Sequence, residues 1–226
     1  MHVSELPQKS QDYLKNVWDL HEATGKPVPL GELATRMSEK TSTASEAVKK
    51  LVARGFLDHE RYGGILLTEA GNALATQVVR RHRLIEMFLF DTLGYTWDEV
   101  HEEAEVLEHA LSDRLLERID AHLGHPTRDP HGDPIPSQEG IVDSIPTREL
   151  GEFEIGETVI VERIHDRDPD LLRYLAGHGV LPGVSVTIKQ PVYPGMSLIS
   201  VDGKDVPLAD ASLWAINVTE AEASKG

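Results

Sequence analysis

Between residues 124 and 146 the chain carries five prolines, and the hydrophobic period differs on the two sides of that segment. Before it, apolar residues recur at helical spacing; after it, they alternate in short runs separated by Gly and Pro. A chain that changes period across a proline-rich boundary folds as a helical part and a β part with separate cores, and 226 residues suffice for both.

The helical part begins at residues 10–23, where Tyr13, Leu14, Val17, Trp18 and Leu20 line one face and Gly25-Lys-Pro27 ends the element. A second helix is predicted over 30–37. Thr43 and Glu46 have capping-box spacing and open a third helix that closes at Gly55, with its DNA-facing start near Thr41. Residues 56–68 read as two short strands around Gly63-Gly64. Three helices followed by a hairpin make the winged form of helix-turn-helix. A long helix to about Phe90 and a second over 96–121 suit a dimerisation platform or an intrachain core. Beyond the boundary, runs at 157–162, 184–189, 197–201 and 215–218, with a helical insert around 170–175, predict a small SH3-like β-barrel. The expected fold is mainly α with β: a winged helix-turn-helix domain over 1–72, a helical metal-binding and dimerisation domain over 73–140, a linker over 141–150 and the SH3-like domain over 151–226.

Lys+Arg 22 against Asp+Glu 38 leaves a formal net charge of −16, a balance that normally repels nucleic acid. Its distribution is uneven. Residues 1–70 hold nine Lys/Arg and ten Asp/Glu, whereas 71–148 hold seven and fifteen and 149–226 hold six and thirteen. A DNA partner would therefore meet the first 70 residues. The absence of Cys excludes disulfide frameworks, thiolate metal sites and a thiol nucleophile. With no basic leader and no run approaching about 18 apolar residues, a cytoplasmic protein with no membrane partner is expected.

The densest chemistry is the strip His101-Glu-Glu-Ala-Glu105-Val-Leu-Glu108-His109. On one continuous helix, positions 101, 105, 108 and 109 fall within an arc of about 100°. His82 and Glu86 share a face one helix earlier. Crowding carboxylates on one strip costs stability unless a cation sits among them; solvated helix surface is the plain alternative. Oxygen and imidazole donors without thiolate suit Mn²⁺, Fe²⁺, Co²⁺ or Zn²⁺. The spacing matches neither a zinc-protease motif nor the paired Glu-x-x-His of di-iron bundles, so no enzyme activity is expected. His2, His21, His59 and His178 read as surface residues, and His122, His125 and His131 as packing or hydrogen-bonding residues.

Together with the winged helix, three strings resemble the diphtheria toxin repressor family of metal-dependent regulators: Arg81-His-Arg-Leu-Ile-Glu86, residues 101–113, and His125-Pro-Thr-Arg-Asp-Pro-His-Gly-Asp-Pro-Ile-Pro136. The C-terminal part resembles that family's SH3-like domain, similar to ferrous transport protein A. The resemblance implies a primary metal site of Asp12, Glu105, Glu108 and His109. It implies an ancillary site of His82, Glu86 and His101, completed by Glu162 and His165. In the family's iron-sensing branch a Met and a Cys stand where this chain has Asp12 and Glu105. Carboxylates at both positions harden the site and point to Mn²⁺, with Fe²⁺, Co²⁺ or Zn²⁺ as surrogates. Shorter manganese regulators of the family carry a carboxylate at the position of Lys15, so their closely spaced ion pair is not expected here. The family's anion contact corresponds to Asp129 and Asp133, two acids that do not favour an anion.

The function implied is a Mn(II)-activated repressor of metal-homeostasis genes, acting as a homodimer on a palindromic double-stranded DNA operator. An iron-dependent repressor is the near alternative; a metalloenzyme or metal-storage protein is a distant one. Thr41, Ser42, Thr43 and Glu46 are placed to meet base edges or phosphates, and Lys49, Lys50 and the wing residue Arg61 to position the phosphate backbone. Without metal, Asp12 is expected to be repelled by Glu105 and Glu108, leaving the reading head open and mobile.

Overall fold

The computed structural model describes residues 2–59, 63–143, 145–191 and 193–221; the expected wing contact Arg61 lies outside the described residues. The chain divides into two compact units, of which the first comprises Met1–His82, Glu105–Glu117 and Pro136–Val142. Helix α1 (Gln8–Thr24) buries Tyr13, Leu14, Val17, Trp18 and Leu20. It ends at Gly25, whose φ of 64° lets its N–H close the last turn on the His21 carbonyl. Helices α2 (Leu30–Arg36) and α3 (Thr41–Ala53) follow. α3 buries only Ala44, Val48 and Leu51, a stripe so narrow that most of the helix faces outward. Strands β1 (Leu57–His59) and β2 (Ile65–Leu67) pair antiparallel, with Leu57 opposite Leu67.

Helix α4 (Glu69–Leu93) starts behind Thr68, whose hydroxyl accepts a hydrogen bond from the Gly71 N–H at 3.0 Å. At Gly71 a Cβ would stand 1.9 Å from the Phe56 carbonyl oxygen, so glycine is what lets α4 seat against the hairpin. Leu74, Ala75, Val78 and Val79 join the core of this unit, and each fully buried aliphatic side chain there contributes about 2 kcal/mol.

Two sequence expectations need correction here. α3 begins at Thr41 after Lys40 without a side-chain cap, so Thr43 lies inside the first turn, and Glu46 pairs with Lys49 at 2.8 Å instead of closing a capping box. The helix expected over 96–121 is two helices, α5 (Val100–Leu107) and α6 (Asp113–His122). Ser112 accounts for the break, since its hydroxyl accepts from the Leu115 N–H at 3.3 Å at the start of α6. Glu108 and His109 therefore sit in the turn beyond α5, not on one uninterrupted helical strip.

The second unit comprises Arg83–Ala104, Arg118–Ile135 and Asp143–Gly226. Its antiparallel sheet has six strands in the order β3-β8-β4-β5-β6-β7. These are β3 (Arg148–Glu149), β4 (Thr158–Ile164), β5 (Ser185–Lys189), β6 (Met196–Val201), β7 (Lys204–Ala209) and β8 (Ile216–Glu220). β7 was absent from the sequence reading although Asp202-Gly203 marks it: both residues have positive φ, 49° and 77°, and join Val201 to Lys204 in a two-residue hairpin turn. Helix α7 (Pro169–Gly177) starts at Asp168, whose carboxylate accepts from the N–H groups of Asp170 and Leu171. Gly132, at φ 90°, would place a Cβ 2.0 Å from the Glu162 carbonyl oxygen, so the proline-rich segment runs directly against β4. Among the described residues, no helix is long and apolar enough to cross a membrane.

Candidate metal centre

In the first unit, α1 and the α5 end converge on one polar cluster. His109 Nε2 stands 2.8 Å from Asp12 Oδ1 and 3.5 Å from Glu108 Oε1, and its Nδ1 is 3.2 Å from Gln11 Oε1. His82, from α4, places Nδ1 2.6 Å from Glu108 Oε2 and 3.8 Å from Glu105 Oε1. Donor atoms of Asp12, Glu108 and His109 lie within 4.8 Å of one another, as do those of His82, Glu105 and Glu108. The four residues expected for a primary site thus come together, with His82 of α4 beside Glu108. Three carboxylates and two imidazoles, without sulfur, fit a divalent cation of hard or borderline character.

The same cluster contains a protein cation. Lys15 Nζ, one turn after Asp12 on α1, is 2.6 Å from Glu105 Oε1 and 2.7 and 2.9 Å from the two oxygens of Glu108. Burial opposes its charge, and the carboxylates of Glu108 and Glu105 more than offset that, so the ammonium is held well above its ordinary pKa. Hydrogen bonding to Asp12, opposed by burial and helped by Glu108, raises the His109 pKa. The unrelieved repulsion expected between Asp12 and the two glutamates is thus corrected: Lys15 sits among them.

The second unit holds another cluster. His101 Nδ1 is 2.7 Å from Asp166 Oδ2 and 3.3 Å from Glu86 Oε1. Burial opposes the imidazolium, yet Asp166 and Glu86 push its pKa up to about 11. Donor atoms of Glu86, Asp129 and His131 also lie within 4.8 Å of one another, and all three residues are buried. The His131 Nε2–H donates to the Trp97 carbonyl at 2.6 Å, which turns Nδ1 toward the carboxylates without a hydrogen-bond partner of its own. Asp129 Oδ1 accepts from the N–H groups of His131 and Asp133, both at 2.9 Å. Burial, then Asp133 and Glu86, raise the Asp129 pKa strongly.

Glu162 and His165 are not brought into this cluster. Glu162 accepts from the Thr219 hydroxyl at 2.7 Å, and the His165 ring stacks on Trp214 with centroids 5.4 Å apart. Burial, then Arg163, push the His165 pKa down to about 4. Asp166, the next residue, supplies the donor instead. Consecutive side chains of a non-helical segment leave it in different directions, which separates His165 from the contacts of Asp166. Asp129, His131 and Asp166 were not among the residues expected beside His101 and Glu86. The available signal was Asp129-Pro-His131 within a Pro/Gly-rich segment, read as packing because no helical spacing tied it to His101.

On α3, Thr41, Ser42, Thr43, Glu46, Lys49 and Lys50 are all exposed. Apolar side chains also remain exposed at Phe90 and Leu93 of α4, Val106 of α5 and Leu115 of α6.

Three family models match the chain in succession: "Iron dependent repressor, N-terminal DNA binding domain" over residues 5–65, "Iron dependent repressor, metal binding and dimerisation domain" over 68–137, and "FeoA domain" over 148–220. The iron-dependent repressor IdeR of Mycobacterium tuberculosis is 31% identical over 229 residues, covering 96% of this chain and 99% of that protein. A manganese-dependent transcriptional repressor solved in complex with manganese is 45% identical, with 94% of this chain and 100% of that chain covered and a TM-score of 0.88. The manganese regulator SloR is 34% identical, with 94% and 98% covered and a TM-score of 0.76. With a DNA-binding domain, a metal-binding and dimerisation domain and a FeoA domain in that order, this chain belongs to the iron-dependent repressor family of metal-dependent transcriptional repressors, the family of the diphtheria toxin repressor.

Proposed function

We propose that the protein is a Mn²⁺-activated repressor, working in the cytoplasm as a homodimer on a palindromic operator, with its output read as DNA occupancy and not as catalysis. The observation that carries the manganese reading is the first cluster's donor set. Asp12, Glu105, Glu108, His109 and His82 offer oxygen and imidazole nitrogen only, in two triads that share Glu108 and whose donor atoms lie within 4.8 Å of one another. The manganese-bound relative at 45% identity supports it.

When bound, the cation supplies positive charge to this group of carboxylates. The chain's own residues do the rest. Asp12 belongs to α1, which packs into the core that carries α3, whereas Glu105, Glu108 and His109 belong to α5 and the turn after it. Shared ligation ties those elements together and sets where α3 is held. In a dimer, half-sites recur about 34 Å apart along the duplex, so the position of α3 governs affinity. Lys49 and Lys50 position the phosphate backbone, and Thr41, Ser42, Thr43 and Glu46 face the groove. Exposed Phe90, Leu93, Val106 and Leu115 supply apolar surface for the second copy. In the second cluster Glu86, His101, Asp129, His131 and Asp166 form the ancillary ligand set.

The second reading is iron, favoured by the iron-dependent name of the 31% identical relative. Anaerobic titration of each metal against retention of genomic DNA fragments separates the two. Activation by Mn²⁺ at lower free concentration than Fe²⁺ is expected; activation by Fe²⁺ alone would overturn the manganese assignment.

A further inference from the structure

We infer that Lys15 is a tethered cation that holds α1 on the first cluster when metal is absent, so that an incoming dication must displace a protein charge and not merely fill a gap. The inference rests on the metal reading of that cluster. α1 presents two groups to it, the Asp12 carboxylate and, one turn later, the Lys15 ammonium. Lys15 is only 4% exposed. A buried ammonium persists only when paired, and this one is bonded to Glu105 Oε1 and to both oxygens of Glu108. Those are the oxygens a cation at this cluster would use. Glu108 itself is fully buried, so it has no solvent to fall back on.

Two consequences follow from one contact. In the metal-free protein α1 is pinned to α5 by ionic bonds, so the winged unit is partly set before metal arrives. The cation that then binds must take over oxygens already held by the ammonium, which weakens binding and raises the concentration at which the switch operates. Lys15 is a positioning residue: it sets threshold and metal-free order while contributing no ligand atom.

The test uses the full-length protein and its Lys15→Met and Lys15→Gln variants, with Mn²⁺ as the probe. Hydrogen exchange of α1 amides is measured without metal, and Mn²⁺ affinity by calorimetry in a His101→Ala background that disables the second cluster. Removing the charge should speed metal-free exchange of α1 and tighten Mn²⁺ binding by about tenfold or more. Lys15→Arg, which keeps the charge, should resemble the wild type. Unchanged α1 exchange, or affinity that stays level or falls in the uncharged variants, overturns the inference. If neither uncharged variant folds without metal, Mn²⁺ should restore the thermal midpoint to near that of the metal-loaded wild type, and failure to restore it counts against the tether. Loss of the underlying metal reading looks different: Mn²⁺ uptake would then be insensitive to Glu105→Ala.

Discussion

The two clusters balance the same kind of charge by different means. In the first, Glu105 and Glu108 are offset by the ammonium of Lys15, a group that stays charged across any working pH, and Asp12 faces His109. In the second, Glu86, Asp129 and Asp166 are offset largely by His101, an imidazole held protonated up to about pH 11, while Arg83 and Arg163 approach Asp133 at 3.8 and 2.9 Å. A metal entering the first cluster competes with a lysine on a helix leading to the DNA-reading unit. A metal entering the second competes with a proton. Both clusters therefore take up metal against protons, and the first against the lysine ammonium as well.

Glu105→Ala removes a half-exposed donor without emptying the buried core. Because even the outer partners of metal ligands cost 10- to 100-fold when removed, its Mn²⁺ affinity should fall by more than about 100-fold, with metal-dependent DNA binding lost and the dimer still folded. Unaltered DNA binding would remove the first cluster from the switch.

At the second cluster, Asp166→Asn should weaken metal uptake by roughly 10- to 100-fold, while the neighbouring His165→Gln leaves it unchanged within a factor of about two. The reverse pattern would restore His165 as the ligand.

The third measurement is pH. The raised His101 pKa means that metal must displace a proton at any pH below about 11. Affinity at the second cluster should thus drop about tenfold or more for each unit of decreasing pH, and His101→Gln should make that dependence shallower, since Asp129 and His131 still have to lose protons, while leaving the slope at the first cluster, where His109 is also raised, in place. A second-cluster slope unchanged by His101→Gln would remove His101 from the ligand set.

The smallest effect is on DNA. Lys50→Ala should reduce the salt dependence of operator binding by about one counterion while leaving sequence preference intact, as a phosphate contact does. A changed preference with an unchanged salt slope would mean that Lys50 reads a base.

Much of the first cluster was legible because helices make spacing informative. His82 and Glu86 share a face of α4 and Glu105 and Glu108 do so around the α5 end, whereas Asp12 was implied only by the family resemblance. The strip was nevertheless overextended, since Ser112 ends the run, and His101 belongs with Glu86 and Asp166 in the second unit. The second cluster was half hidden for a physical reason. Asp129 and His131 lie in an irregular segment and Asp166 in the loop after β4, where no period predicts which way a side chain points.

Residue order alone specifies the periodic parts: helices whose apolar stripes build one core, alternating strands that build another, and a thiol-free donor set that narrows the class of cation. Lys15 shows where that reach ends. In the sequence it was a departure from a carboxylate pattern; only tertiary structure, by burying it between Glu105 and Glu108 from a helix about 90 positions away in the chain, made it a counter-ion. Charge type is written locally, but whether a charge is solvated or paired depends on what folds against it.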